Sequence, residues 1–459
     1  MKRSVRRIFL TILVVGVGFL IYFAWHRLPI ISAYGAKNLC SCVMVAGRNP
    51  EDVKREELGW GAVALGTFDV NFKDSSATGS VFGLARRKAI YRKKLGCSVL
   101  VGISEEEFRK QEVGHVSDPG YSQDTLAWPM GNMDGHAMLA DSTKRKIDII
   151  LDSAFSEPSK RPLRRTRAII VVRDGKIVAE RYAEGFNANT ILTGWSMAKT
   201  VTNALVGILV WENKLNISDP APIPEWSNDD RKKITVNDLL HANSGLEWVE
   251  DYGNPSGATI MLYENKDMGR YAAQSKQKFK VGEKFLYSSG TTNILSRIIR
   301  EKVGKENYHN FPYEKLFYKI GMLHATFETD AGGTFVGSSY ILATARDWAR
   351  FGLLYLNDGV WNGERIFPEG WVKYSTTPAT GAPLGEYGAQ MRVNAGAAGN
   401  PEKRMFPDVP TDAFWANGFE GQSVFVVPSE KLVVVKLSLT HGSDLDENKF
   451  LSEVIAAFH

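Results

Sequence analysis

The sequence predicts an α/β fold of the α+β kind for about residues 136–459: an antiparallel sheet built from both ends of the region, flanked by helices, with a helical segment inserted between. Three observations predict it. Ala168–Arg173 and Lys176–Tyr182 are apolar, β-branched runs around Asp174-Gly175, a strong local hairpin signal. A second hairpin, Ser423–Val427 and Leu432–Leu439 around Pro428-Ser429-Glu430-Lys431, stands near the other end. Between the two the chain is mostly helical. Val236–Leu240, Thr292–Val303 and Trp348–Leu356 carry the helical pattern, and the last opens on the capping-box-like Thr344-x-x-Asp347. A helix near Ser142–Phe155 and a basic linker, Lys160–Arg167, precede the first hairpin, and a helix over Asp444–Phe458 ends the chain.

The N-terminus reads differently. Lys2, Arg3, Arg6 and Arg7 precede an uncharged apolar run from Ile8 to Trp25, followed by His26 and Arg27. The run is long for a signal-peptide core and just long enough to span a bilayer, and the basic flank places the N-terminus in the cytoplasm. Residues 1–35 therefore read as a transmembrane anchor with the rest of the chain on the exported, periplasmic side. The rival is a cleaved signal ending at Ala33-Tyr34-Gly35, which would release the chain into the periplasm. Three cysteines suit an oxidising compartment: Cys40 and Cys42 are too close in sequence to pair easily, so Cys97 is expected to pair with one of them.

Residues 36–135 read as an accessory section with short strands, among them Ala62–Leu65 and Cys97–Gly102, and a connecting loop rich in Gly, Pro, Asp and Ser, Gly114–Gly135. Its basic clusters, Arg86-Arg87-Lys88 and Arg92-Lys93-Lys94, read as a solvated face that beside a membrane also meets anionic lipid. Over 459 residues, 44% hydrophobic and 23% charged is ordinary globular composition, which excludes a disordered chain. A net charge of +5, dispersed in local clusters, gives no basis for a nucleic-acid partner. The eight histidines show no paired ligand spacing, so neither a metal nor another cofactor is expected. Gly-x-Ser-x-Gly is absent, which removes the nucleophile-elbow hydrolases.

Chemistry is carried by Gly194-Trp195-Ser196-Met197-Ala198-Lys199-Thr200. The apolar-periodic run Val201–Trp211 comes directly after it, so Ser196 and Lys199 fall in the first turn of a helix, three residues apart and on one face. The positive end of the helix dipole favours an alkoxide and disfavours an ammonium, which suits Ser196 as nucleophile and Lys199 as base. A helix cap with a snorkelling lysine is the plain alternative. Roughly two Ser-x-x-Lys spacings are expected by chance in a chain of this length. The other, Ser275 to Lys278, lies in a polar stretch with no apolar helix behind it and reads as surface.

Further motifs downstream decide between the two. With them, the region from about Ser142 onward resembles the serine β-lactamase and penicillin-recognising family, in the class C-like branch that holds esterases, D-amino-acid peptidases and 6-aminohexanoate-oligomer hydrolases. Ser196 and Lys199 match its first motif. Ile234–Leu240 leading into Asn243-Ser244-Gly245-Leu246 resembles a loop of this branch, and Tyr287 in Phe285-Leu286-Tyr287-Ser288-Ser289-Gly290 matches its second motif, with Ser289 where many relatives carry asparagine. The third motif aligns with Phe419-Glu420-Gly421, where Phe419 replaces the usual cation or imidazole.

The resemblance implies an acyl-enzyme on Ser196, proton handling by Lys199 and Tyr287, and an oxyanion hole from the N–H groups of Ser196 and Gln422. Ser289, Phe419, Glu420 and Gly421 would contact substrate. A small ester, amide or short peptide is the expected partner, with β-lactam hydrolysis, acyl transfer or a catalytically idle cell-wall-binding relative as the alternatives. With Phe419 in place of the cation, and Glu420 beside it if it faces inward, carboxylate-bearing substrates should be disfavoured.

Overall fold

Thr166–Arg173 and Leu432–Ser438 are near-continuous apolar runs, the pattern of strands covered on both faces. They pair antiparallel, Leu432 opposite Arg173 through to Ser438 opposite Thr166, so the two ends of the region meet at the centre of one sheet. The computed structural model describes residues 2–133, 135–159, 163–442 and 445–459. Asp134 of the connecting loop, residues 160–162 of the basic linker, and Asp444 at the expected start of the last helix lie outside the described residues.

Along the chain come α1 (Lys2–Cys40), α2 (Pro50–Glu56), β1 (Gly66–Asn71), β2 (Ser76–Val81), β3 (Leu84–Arg92), β4 (Gly96–Val99) and α3 (Glu105–Lys110). Next are α4 (Asp141–Phe155), β5 (Thr166–Arg173), β6 (Lys176–Tyr182), β7 (Ile191–Thr193) and α5 (Ala198–Trp211). The inserted segment holds α6 (Val236–Leu240), α7 (Gly257–Glu264), α8 (Met268–Ala273), α9 (Ser289–Val303), β8 (Thr326–Phe327), β9 (Ile341–Thr344) and α10 (Ala345–Leu356). Then come β10 (Val360–Trp361), β11 (Glu364–Arg365), α11 (Trp371–Ser375), β12 (Arg392–Val393), β13 (Phe414–Gly418), β14 (Gln422–Val427), β15 (Leu432–Ser438) and α12 (Glu447–Ala456).

The main sheet has the order β12-β13-β14-β15-β5-β6. On one face Ile147, Ile150 and Leu151 of α4 join Phe450, Leu451 and Val454 of α12 over Ile169, Val171, Val427 and Val434. On the other, Gly352 of α10 lies against Val433 and Val424. Each such aliphatic side chain withdrawn from water contributes roughly 1.5–3 kcal/mol. A small sheet, β7-β9-β8, stands beside the main one, and β7 runs directly into the turn that carries Ser196.

α1 runs unbroken through the expected boundary at residue 35, and Ser32, Ala33, Ala36, Leu39 and Cys40 are fully buried. In the accessory section β1–β4 form a four-stranded antiparallel sheet cradling the C-terminal half of α1. One apolar cluster then continues from Ala33 and Phe68 through Leu209 to Val435. A buried ionic knot fastens the two parts. The Glu328 carboxylate pairs with Lys37 and accepts hydrogen bonds from Ser41 Oγ (2.8 Å) and Cys97 N (2.7 Å), while Lys37 lies over the Tyr340 ring. Cys97 pairs with Cys40, and Cys42 is left as a buried thiol.

α1 is long and apolar enough to cross a membrane, but the part Trp25–Val45 is mostly buried in the protein. In the preceding run, Phe9, Leu10 and Leu13 are exposed, as is Trp25 at its end. The basic clusters are largely absorbed: Lys88 pairs with Asp74 and Glu105, Lys94 with Asp118, and Arg92 stacks on Phe108. Exposed pairs of this kind are worth about 0–1 kcal/mol each.

Removing one member of a buried pair leaves the other charge stranded, at a cost of about 3–5 kcal/mol. Glu328→Ala is therefore expected to lower the thermal midpoint of the full chain by several degrees or more. Lys37→Met with Glu328→Leu should recover most of the loss, as read by thermal unfolding in detergent.

Candidate active site

Gly194 follows β7 and lies against Trp348. A Cβ there would lie 2.4 Å from the indole, so only glycine passes. Trp195 comes next at φ 48°, a left-handed conformation that is costly for a bulky residue and persists only where its surroundings impose it. They do so here: the indole N–H donates to Glu420 Oε2 at 3.1 Å, the ring stacks on Tyr34, and Phe419 meets it edge-on. The turn Trp195–Met197 then presents Ser196, and α5 starts at Ala198.

Lys199 is 2% exposed, and its amine has three partners. Nζ stands 3.1 Å from Ser196 Oγ, 2.9 Å from Ser289 Oγ and 3.0 Å from the Ser338 carbonyl oxygen. Ser289, the first residue of α9, donates its own proton to Glu250 Oε1 at 2.5 Å and its N–H to Glu250 Oε2 at 2.9 Å. Trp248 Nε1 and the Tyr252 hydroxyl also donate to that carboxylate, at 2.5 and 2.8 Å. Tyr287 turns its ring to the amine, with Nζ 4.8 Å from the centroid. On that side stands Arg392, its guanidinium carbon 5.3 Å from the Tyr287 centroid.

A cavity of about 230 Å³ opens on the other side of Ser196. Trp195, Tyr252, Leu262, Tyr263 and Phe419 line it, and so do Ile30 and Ile31 of α1. Ser196, Lys199, Tyr287 and Ser289 are thus brought together, and Phe419 walls the cleft.

The rest of the expected third motif is placed elsewhere. Glu420 is buried behind Trp195, facing His441 at 3.4 Å, and does not project into the cleft. Gly421 turns at φ 82° on the far side of the strand, with its carbonyl accepting from Ser438 Oγ. Gln422 does not line the cleft either; its side-chain amide donates to the carbonyls of Phe419, Glu420 and Ser438. The reason is one of register. Gly418 ends β13 pressed on the Gly194 carbonyl, where a Cβ would lie 2.2 Å from the oxygen, and Phe419 is the residue that emerges beside Ser196. Ser275 and Lys278 are on the surface, the lysine paired with Glu247.

Sequence reasoning missed Glu250, Tyr252 and the Ser338 carbonyl. Trp248-x-Glu250-x-Tyr252 does alternate acid with aromatic just after the Asn243–Leu246 loop, a readable pattern; a backbone acceptor leaves no trace in sequence.

Known proteins share this architecture. The Beta-lactamase family model matches residues 151–456. Among curated relatives, 6-aminohexanoate-dimer hydrolase of Paenarthrobacter ureafaciens is 25% identical over 298 residues, 60% of this chain and 72% of that protein. Among solved structures, a putative 6-aminohexanoate-dimer hydrolase from Bacillus anthracis superposes with a TM-score of 0.57 at 23% identity, over 75% of this chain and 90% of that one. A family VIII carboxylesterase gives 0.53 at 15% identity, over 70% and 98%. These structures share the fold of sheet and inserted helices found here. The chain belongs to the Beta-lactamase family and is a serine hydrolase of its esterase and amidase kind.

Proposed function

We propose that the protein hydrolyses an ester or amide through an acyl-enzyme on Ser196, with its catalytic body held by α1 at the exported face of a membrane. The observation that carries the chemistry is the set of contacts around Lys199 Nζ. A neutral amine has two protons and one lone pair. The Ser338 carbonyl can only accept, and Ser289 Oγ, whose proton is committed to Glu250, accepts as well. The lone pair is then left facing Ser196 Oγ. Glu250 is a positioning residue in this scheme, acting through Ser289.

Ser196 Oγ attacks the carbonyl carbon as its proton passes to Lys199, and the resulting ammonium faces the Tyr287 ring, an arrangement favourable to the cation. The scissile bond breaks as a proton reaches the leaving oxygen or nitrogen, with Tyr287 as the relay. Water then attacks the acyl carbon, its proton returns through the same groups, and Ser196 leaves. For the oxyanion, the N–H of Ser196 and that of Phe419 replace the pairing with Gln422 N–H, because Phe419, the first residue past β13, is the one that emerges in the cleft.

Export rests on Lys2, Arg3, Arg6 and Arg7 before the run Ile8–Trp25. The rival cleavage point, Ala33-Tyr34-Gly35, lies in a part of α1 packed into the body, and its loss would remove Tyr34 from Trp195 and from the cleft.

Glu420 bears on substrate charge differently from expectation. Burial pushes its carboxyl up to about 8, with the Trp195 hydrogen bond pulling the other way, and burial pushes His441 down, so both are mostly uncharged at pH 7. Repulsion of an anion by Glu420 is not part of the proposal. Phe419 places an apolar ring in the cleft wall, Arg392 supplies a cation on the Tyr287 side, and Arg27 lines the cleft on the α1 side.

Four outcomes are expected. Ser196→Ala abolishes turnover and labelling by a fluorophosphonate probe, as read by intact mass, while Ser275→Ala leaves both intact; equal labelling of wild type and Ser196→Ala would sink the assignment. Lys199→Ala and Tyr287→Phe each slow acylation by about 10²–10⁴-fold. For substrate charge, kcat/KM for a neutral ester is expected to exceed that for a penicillin; Phe419→Lys narrows the ratio, and Arg392→Met lowers what penicillin turnover remains. For pH, an unfolded glutamate titrates near 4.3 and the folded Glu420 near 8, so the folded state holds the extra proton between them. Its contribution to stability is complete below about 4.3, falls as pH rises towards about 8, and is flat above. Glu420→Gln should remove that component from a series of denaturant midpoints between pH 4 and 9.

A further inference from the structure

α1 brings a membrane span and a catalytic wall onto one helix. Its run Ile8–Trp25 is the proposed span, and Arg27, Ile30, Ile31 and Tyr34, only two to nine residues beyond Trp25, line the cleft that holds Ser196. At about 1.5 Å per residue, Ile31 is roughly 9 Å along the helix from Trp25.

The β1–β4 sheet gives an independent ruler. Cys97 is bonded to Cys40 and lies opposite Tyr91, so the sheet end containing Ser76 and Tyr91 faces the C-terminus of α1. Gly79 of β2 rests on the Ser32 carbonyl, further towards the N-terminus of α1. Continuing in that direction, Phe82 is three strand residues on, about 10 Å, which corresponds to six or seven residues of helix. That brings the β2–β3 turn level with Trp25 and His26, and the Glu264 carboxyl is within electrostatic reach of both Arg87 and His26.

This end of the sheet is apolar and uncovered. Phe82 is 73% exposed, Leu84 61% and, beside them through the pairing of Gly66 with Val81, Leu65 54%. Leu65 ends the turn Gly61–Leu65, which has no buried residue and whose Ala62 and Val63 line the Ser196 cleft. Arg86 is exposed next to the tip. Exposed apolar side chains flanked by basic ones, level with the end of a spanning helix, match the headgroup boundary of a bilayer.

We infer that the tips Leu65, Phe82 and Leu84 rest in the bilayer surface, that the cleft opens there between α1 and the Gly61–Leu65 turn, and that the substrate is a membrane-lodged amphiphile whose hydrocarbon arm enters beside Ile30, Ile31 and Val63. This rests on the reading of Ser196 as nucleophile and of α1 as anchor. The ester or amide carbonyl then lies at Ser196, between an apolar arm on the bilayer side and a leaving group on the Tyr287 and Arg392 side.

The test uses the full chain in vesicles of phosphatidylethanolamine and phosphatidylglycerol, with 4-nitrophenyl palmitate lodged in the same vesicles and 4-nitrophenyl acetate in solution. Wild type is expected to turn over the lodged ester roughly tenfold faster than the acetate at matched total concentration. Leu65→Ser/Phe82→Ser/Leu84→Ser should reduce that ratio by roughly fivefold or more while leaving acetate turnover unchanged. Phe82→Cys carrying an environment-sensitive fluorophore should be quenched by brominated acyl chains; this readout stands even where the triple variant fails to fold. No turnover of either ester and no labelling of Ser196 would defeat the hydrolase reading itself. Turnover of acetate without preference for the lodged ester, an unchanged ratio in the folded triple variant, or absence of quenching would overturn the membrane-facing cleft.

Discussion

The buried amine of Lys199 is the interaction on which the rest of the site depends. A lysine withdrawn from water survives only with its hydrogen-bonding capacity filled, and here one carbonyl and two serine hydroxyls fill it. Each comes from a different part of the chain: Ser196 precedes α5, Ser289 opens α9, and Ser338 lies before β9. Helix packing in the inserted segment must therefore be correct before the amine meets Ser196 Oγ. The Glu250 carboxylate extends this requirement outward, since it decides which way the Ser289 proton turns.

The strained Trp195 is the second constraint, and it ties the cleft to the sheet. Its positive φ is held by an indole hydrogen bond to Glu420 and by ring contacts with Tyr34 and Phe419. Glu420 itself takes φ 63°, so a left-handed residue on the strand turn supports another beside Ser196. Placing a mostly neutral carboxyl behind the aromatic wall keeps that wall apolar, whereas the same residue turned inward would have put an acid in the cleft.

The N-terminal helix joins both. Tyr34 braces Trp195, Lys37 closes the ionic knot with Glu328, and Cys40 closes the disulfide, all within two turns. A helix that reads in sequence as an anchor is thereby one wall of the active site. The helix proposed as the anchor and the wall of the cleft are one element, so the two hairpins and inserted helices do not enclose the cleft by themselves.

Sequence by itself determined the sheet from the two ends of the catalytic region, because hairpins and apolar runs are local signals whose pairing is set once each strand is recognised. It also singled out Ser196, Lys199, Tyr287 and Ser289, which the fold brings together, since helical spacing and short motifs link positions a few residues apart. It left open which of Cys40 and Cys42 meets Cys97, and it misplaced Gly421 and Gln422 by aligning the third motif one turn beyond the place where Gly418 packs on Gly194. It did not find Glu250, or α1 as a wall of the cleft. Those were decided by tertiary structure alone: a carboxylate 39 residues from the serine it orients, and a helix 291 residues from the glutamate that fastens it, leave no local pattern, because what selects them is desolvation in a shared core.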